Sequence, residues 1–408
     1  MHDDRKRSGF KSRTRVEDAR ERLLAAADPH GRTERVALTR ADGRTLAERV
    51  TAPNPVPGYD RAAMDGWAVR AADTFGASDR SPTVLRAAGD ADVAVGPSDA
   101  ARVHTGSALP DGADAVVMIE QTERVGDDVE VFDAVTEGEN VGDAGEDVEA
   151  GQSLFEPGHA LRPSDLGLLK SVGLDRVRAF EPPTVGVVPT GEELVQADPG
   201  PGEVIETNGL TVSALVSRWG GVPTYRNVVT DEFSALRAAV QRDLTKDVIV
   251  TTGGSSVGER DLLPEVIDEL GEVLVHGVAL KPGHPVALGV VEDTPVVSLP
   301  GYPVACIVNA VQFLRPLVKH VGGMDCPPLP RREVRLARKL SSEPGVRTFA
   351  RVEVREEDGE QVAVPTRTSG SGILSSVALA DGWVVVPESQ EGIPAGERVE
   401  VEQWEWSA

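Results

Sequence analysis

Residues 248–261 read VIVTTGGSSVGERD, an apolar β-branched run that turns abruptly into glycines, serines and charges and ends on Asp261. Gly253, Gly254, Ser255, Ser256 and Gly258 leave backbone N–H groups open to a ligand, and successive N–H groups in such turns form an anion-binding concavity. A helix that starts after them adds the positive end of its dipole. The stretch therefore reads as a phosphate cradle or, equally well, as a helix-capping turn with Ser255 or Ser256 as the cap. Carboxylates stand near comparable strand ends: Glu192 and Glu193 in TGEEL, Asp231 before EFSALRAAV, and Asp261 itself. Beside a bound phosphate such groups hold Mg²⁺, which takes one or two carboxylates and keeps several waters. The alternatives are an N-cap role for Asp231 and plain surface charge for Glu192 and Glu193. Lys281, in the loop ALKPGHP (279–285), suits an oxyanion or, alternatively, solvent.

These residues need elements to position them. From 182 to 322 apolar runs alternate with helix-like stretches, which predicts an αβα domain with a mostly parallel sheet covered on both faces. In such sheets ligands sit at the carboxyl ends of strands. The glycine-marked ends VVPTGEEL (187–194), VVSLPGYP (296–303) and the opening stretch all fall there. Residues 1–12 read as a disordered tail. Residues 14–50 read as a helix, a turn at DPHGR and a short second helix around RADGRTLAERV. An inserted β domain follows over 52–140, with turn signals every eight to twelve residues. In PSDLGLLKSVGL, Ser164 or Asp165 can cap a helix whose Leu166, Leu169 and Val172 share a face. The expected organisation is thus a multidomain α/β chain. A discontinuous N-terminal α-containing domain (13–51 and 141–181) carries the β insertion, the αβα domain spans 182–322, and a small C-terminal β-barrel or sandwich spans 327–408.

Composition narrows the partners. Among 408 residues, 66 Asp and Glu face 42 Lys and Arg, a net charge of −24. That charge repels nucleic acid at long range, and it suits a salt-rich cytoplasm where screening removes self-repulsion. No apolar stretch is expected to approach the roughly 18 residues that span a bilayer. The N-terminus shows no apolar secretory region, and Cys306 and Cys326 form neither a disulfide framework nor a zinc spacing. A cytoplasmic protein with no nucleic-acid or membrane partner is expected.

Together the motifs resemble the MoeA-like molybdopterin molybdenumtransferases, the family that includes the gephyrin E domain. AAMDGWAV (62–69) is similar to the family's S-A-M-D-G-Y-A-V. RVHTGSALPDGADAVVMIE (102–120) is similar to R-x-x-T-G-A-x-L-P-x-G-A-D-A-V-V. TGEEL, TTGGSSVGERD, KPGHP and LPGYP resemble T-G-D-E-L, T-S-G-G-V-S-V-G-x-x-D, K-P-G-K-P and L-P-G-N-P. The likeness runs from about residue 14 to the C-terminus. It implies a central domain like the molybdopterin adenylyltransferase fold, and a homodimer whose active site lies between that domain of one subunit and the N-terminal domains of the other. It also implies a reaction: molybdate joins the dithiolene of adenylylated molybdopterin, whose pyrophosphate is hydrolysed with Mg²⁺ to release AMP. A molybdopterin adenylyltransferase and cofactor-accepting enzymes are further implied partners.

Carried over by position, the resemblance implies catalytic roles for Asp65, Glu193, Asp231, Asp261 and Lys281, with Glu193, Asp231 and Asp261 at the metal. It implies substrate contacts from Thr105, Asp147, the cradle residues Gly253, Gly254, Ser255, Ser256 and Gly258, and from His284, Pro300, Pro303, Arg351 and Ser371. On its own residues, Asp65 would read as a turn in MDGW. The departures cluster: His284 replaces a lysine, Tyr302 an asparagine and Ala305 a serine. Gly142, Asp143 and Ala144 replace a basic run, and Val346 replaces an arginine, with Arg347 one place late. Fewer cations around the oxyanion leave tungstate open beside molybdate. They also motivate the alternative of a weak paralogue that stores or delivers molybdopterin or oxyanion. A scaffolding role and an adenylyltransferase are disfavoured, the first by the lack of a partner domain and the second by three extra domains and GGSSVG in place of G-G-T-G.

Overall fold

The apolar strands expected between 182 and 322 form a six-stranded sheet in the computed structural model, which describes residues 13–253, 262–357, 359–366 and 370–405. Its strands are β1 (Thr184–Pro189), β2 (Val222–Tyr225), β3 (Val248–Thr252), β4 (Gly271–His276), β5 (Ala287–Val291) and β6 (Thr294–Leu299), in the order β2-β1-β3-β6-β5-β4. The first four in that order run parallel, while β5 and β4 pair antiparallel at one edge. The hairpin turn through Glu292 and Asp293 reverses the chain, which makes the sheet mixed at that edge. β4 (GEVLVH) lies outside the strands anticipated from sequence.

The helices follow the expected periodicity. Asn208–Arg218 buries Val212 and Val216, with Trp219 just beyond its end. Phe233–Asp243 buries Leu236 and Val240, and Phe233 packs half-buried beside them. The run 303–321 is helical throughout and contains a π-helical segment, Ala310–Leu314, just before Pro316. Proline there has no N–H for the Gln312 carbonyl, and Arg20 Nε donates to that oxygen at 3.1 Å instead. By length and composition this 19-residue stretch could cross a bilayer, contrary to the expectation that none would. It is 83% buried among the other elements, as the core helix of a folded domain would be.

The C-terminal strands β7 (Arg331–Leu336), β8 (Arg347–Glu357), β9 (Glu360–Pro365), β10 (Gly382–Val386) and β11 (Arg398–Glu402) pair in the ring β8-β9-β7-β11-β10-β8, a closed small barrel. The barrel and the αβα sheet share one compact unit, made of the described parts of Met1–Glu34, Gly43–Thr45 and Ala179–Ala408. The helix Val16–Ala25 buries Val16, Ala19 and Leu23 in this unit's core, although the sequence reading grouped it with residues 141–181.

The second unit spans Arg35–Asp42 and Leu46–Arg178. Its main element is a six-stranded sheet built from strands between Gly66 and Val131, the all-β texture expected over 52–140. Its helix Pro163–Ser171 has Arg162 at the N-cap rather than Ser164 or Asp165; Asp165 lies in the first turn, where its carboxylate accepts the Arg162 backbone N–H at 2.9 Å. The second helix expected around RADGRTLAERV does not form. A 3₁₀ turn, Leu38–Arg40, is followed by Gly43 at φ +71°, outside the right-handed helical region, and by a two-residue strand at Val50–Thr51.

Candidate functional site

The carboxyl ends of β1, β3 and β6 open into a cavity of about 1100 Å³ whose far wall is the C-terminal barrel, all within the first unit. Three loops reach it because small residues allow close approach. Gly253, at φ +128°, ends β3, and a Cβ there would lie 2.1 Å from the Thr190 carbonyl oxygen. Gly283, at φ +109°, bends the KPGHP loop, and a Cβ there would lie 2.2 Å from Asn309 Nδ2. That same amide donates to the Gly283 and Ala305 carbonyls at 2.9 and 2.8 Å, so buried Asn309 fastens the loop to its helix. Asn208 Nδ2 holds the LPGYP loop through the Gly301 carbonyl at 2.7 Å.

Of the residues singled out from sequence, Glu193, Asp231, Gly253, Lys281, His284, Pro300, Pro303, Arg351 and Ser371 all line this one cavity. Gly254, Ser255, Ser256, Gly258 and Asp261 lie outside the described residues. Asp231 stands one residue before Glu232, the N-cap position of Phe233–Asp243. The short strand Leu280–Lys281 pairs in parallel with β8, which sets Lys281 beside Thr348 and the barrel. Lys281 Nζ donates to Glu343 at 2.8 Å between exposed side chains. His284 is half-buried. Burial and the positive charges of Arg13 and Lys281 hold its pKa below the ordinary histidine value, against the pull of Glu343.

Arg351 is a buried cation in the cavity wall. It is only 4% exposed, and burial alone lowers its pKa. Among the described residues neither its Nε nor its Nη2 has a hydrogen-bond partner. An uncompensated buried guanidinium is costly, and the cavity it lines is where an anion would offset that cost. Arg347 behaves differently: it pairs with Glu17 and with Glu388 at 3.1 Å and does not line this cavity, whereas Val346 does. The departure at this position therefore removes a cation from the site without a neighbouring replacement.

Glu193 and Asp231 supply two carboxylates to the cavity. Among the described residues no group of three or more His, Cys, Asp or Glu is placed to hold a metal. Two carboxylates fit Mg²⁺, which keeps waters and shares its coordination with substrate phosphates, better than they fit a cation that needs a full protein cage. Sequence reasoning missed Glu206 and Glu343, which also line the cavity, as does Tyr302, one of the departures noted in LPGYP. Glu206 is buried and accepts the Gly209 N–H at 2.6 Å as well as the Tyr225 hydroxyl. Its position two residues before a helix was the available signal.

In the second unit Asp65 accepts two hydrogen bonds from Thr105, from the backbone N–H at 2.7 Å and from the hydroxyl at 2.8 Å. His104 Nδ1 lies 3.7 Å from the other oxygen. These contacts, the Thr105 backbone bond first, lower the Asp65 pKa and keep an exposed carboxylate ionised. Gly66 follows because a Cβ there would meet the Val117 carbonyl oxygen at 1.9 Å. Asp147 is exposed in the same unit, its backbone N–H held by the Val56 carbonyl at 3.0 Å.

Comparison with known proteins agrees along the chain. Residues 14–173 match the family described as "MoeA N-terminal region (domain I and II)", residues 186–320 a "Probable molybdopterin binding domain", and residues 333–404 the "MoeA C-terminal region (domain IV)". A molybdopterin molybdenumtransferase of Bacillus subtilis is 33% identical over 92% of this chain and 93% of its own length. Molybdopterin molybdenumtransferase 2 of Mycobacterium tuberculosis is 33% identical over 90% and 94%. The crystal structure of a molybdopterin biosynthesis MoeA protein from Pyrococcus horikoshii superposes with a TM-score of 0.86 at 35% identity, covering 97% of this chain and all of that one.

Proposed function

This chain belongs to the MoeA family of molybdopterin molybdenumtransferases, transferases of molybdenum cofactor biosynthesis, and we propose that its cavity binds the oxyanion and the adenylylated molybdopterin. The observation that carries this reading is Arg351, buried in the cavity wall and, among the described residues, without a hydrogen-bond partner at Nε or Nη2. Arg351, with Lys281 and a protonated His284, offers charge-assisted hydrogen bonds to a tetrahedral dianion. Molybdate or tungstate is then held for attack by the two dithiolene thiols, which replace two of its oxygens; these leave as two waters, taking the two thiol protons and two from solvent. Hydrolysis of the P–O–P link releases AMP.

On the phosphate side the reading uses Gly253 and the glycine–serine loop Gly254, Ser255, Ser256 and Gly258 as the cradle. Glu193, Asp231 and Asp261 are the proposed holders of Mg²⁺, which would neutralise charge on the phosphates. Pro300, Pro303 and Ser371 shape the wall of the oxyanion pocket. The protein is proposed to act as a cytoplasmic homodimer in which Asp65, Thr105 and Asp147 of one subunit serve the cavity of the other. It would receive substrate from a molybdopterin adenylyltransferase and pass the product to cofactor-accepting enzymes. A salt-rich cell accounts for the net charge.

Equilibrium dialysis with labelled molybdate and tungstate tests the oxyanion assignment. Wild type should bind about one equivalent per chain, and Arg351→Gln should lose at least tenfold in affinity. Equal affinity in the variant would remove the assignment. The storage reading rests on Lys281 being engaged by Glu343 and Arg347 by Glu17 and Glu388, which leaves fewer free cations for catalysis. Binding without AMP release would favour it.

A further inference from the structure

A second cavity, of about 690 Å³, opens between the helix Val16–Ala25, the π-helical segment and the barrel, and shares with the first the lining residue Phe349. Five arginines line it, Arg20, Arg315, Arg331, Arg347 and Arg398, against three carboxylates, Glu17, Glu400 and Glu402. In a chain of net charge −24 this local excess is unusual. Arg331 is matched by Glu400 and Glu402, Arg347 by Glu17 and Glu388, and Arg398 lies near Glu333 and Glu360.

Arg20 and Arg315 are different, because neither has a carboxylate within salt-bridge distance among the described residues. Among the described residues Arg20 donates to Gln312 alone, through Nε to the backbone carbonyl at 3.1 Å and through Nη2 to the side-chain oxygen at 2.8 Å. Arg315 is 6% exposed, donates through Nη2 to the Pro327 carbonyl at 2.7 Å, and leaves Nε without a partner. Lys319, one turn further along, is also buried. Burial lowers the pKa of both Arg20 and Lys319, with help from Arg347 on the first and Arg315 on the second, against weaker opposing pulls from Glu17 on Arg20 and from Cys326 and Asp325 on Lys319. The apolar walls are Val311, Pro316, Leu329, Phe349 and Ile393.

We infer that this second cavity binds a small organic oxyanion, a phosphate monoester or carboxylate, whose charged end meets Arg20 and Arg315 and whose apolar body packs against Phe349 and its neighbours. Two cations held by neutral partners leave guanidinium donors for an anion. A pocket of this size with apolar walls and a few polar anchors suits a small ligand. The site is separate from the Arg351 cavity, so it stands whether or not that assignment holds.

Cys326 reports on it directly. This exposed thiol lines the cavity, and the other cysteine, Cys306, is buried. The probes are phenyl phosphate, benzoate and inorganic phosphate, with phenol and sodium chloride at matched ionic strength as controls, and the readout is the rate of Cys326 alkylation by iodoacetamide. Phenyl phosphate should slow alkylation at least fivefold at saturation, while phenol and chloride leave it unchanged. Stronger protection by benzoate than by phenyl phosphate would assign a carboxylate ligand. Arg20→Gln and Arg315→Gln should each abolish the protection, and an unreactive Cys306 in each variant shows that the fold is intact. Unchanged alkylation with all three anions, or equal protection in a folded Arg20→Gln protein, overturns the proposal.

Discussion

Lys281 and Arg351 are set by one strand pairing: Lys281 pairs with Thr348 in parallel register, and Arg351 follows three residues later on that barrel strand. Their environments differ, since Lys281 is exposed and bound to Glu343 whereas Arg351 is buried and, among the described residues, has no hydrogen-bond partner at Nε or Nη2. The αβα loop and the barrel therefore reach the cavity as one hydrogen-bonded piece.

An unpartnered buried charge destabilises the protein that carries it. Arg351→Gln is expected to raise the melting temperature of the ligand-free protein by about 2 °C or more, while removing the stabilisation that molybdate gives wild type. A variant that melts lower would mean that Arg351 has a compensating partner.

Glu343 competes with the oxyanion for Lys281. Exposed pairs of this kind contribute about 0–1 kcal/mol, so Glu343→Gln should leave the melting temperature nearly unchanged and tighten molybdate binding about threefold in a dialysis titration. Weaker binding would mean that Glu343 positions Lys281 productively.

His284 should make oxyanion binding depend on pH. Its folded-state pKa is lowered, so the unfolded chain takes up the proton more readily, and the ligand-free protein loses stability as pH falls through the region below the ordinary value of 6.5. A bound dianion favours the imidazolium and reverses the sign. Affinity measured by dialysis should rise severalfold between pH 8 and pH 6, and His284→Lys should flatten that profile. A flat wild-type profile would leave His284 with no part in anion binding.

The proposed homodimer predicts complementation. Asp65→Asn and Arg351→Gln proteins, each inactive alone, should recover about a quarter of wild-type activity when mixed and allowed to exchange subunits, because half of the dimers then carry one intact site. No recovery from subunits that demonstrably exchange would place both residues in the same subunit's site.

The central sheet was legible because its strands are apolar on both faces and its helices keep strict periodicity, as in the face of Val212 and Val216. The loops at its strand ends were legible because glycine at Gly253 and Gly283 marks close backbone approach. The state of Arg351 was not, since its burial depends on how a barrel strand packs against a distant loop. Nor was the fate of Arg347, which sits on the same strand but turns to Glu17 and Glu388. The short second helix expected around RADGRTLAERV does not form, and Gly43 there takes a left-handed backbone conformation.

Oxyanion-dependent AMP release is the most direct measure of cofactor assembly by this protein. Purified protein in high KCl with Mg²⁺ and adenylylated molybdopterin should release AMP with molybdate or tungstate and not without either, and Arg351→Gln should release none with or without the oxyanion. AMP release that ignores the oxyanion, or none from folded wild-type protein, would contradict it.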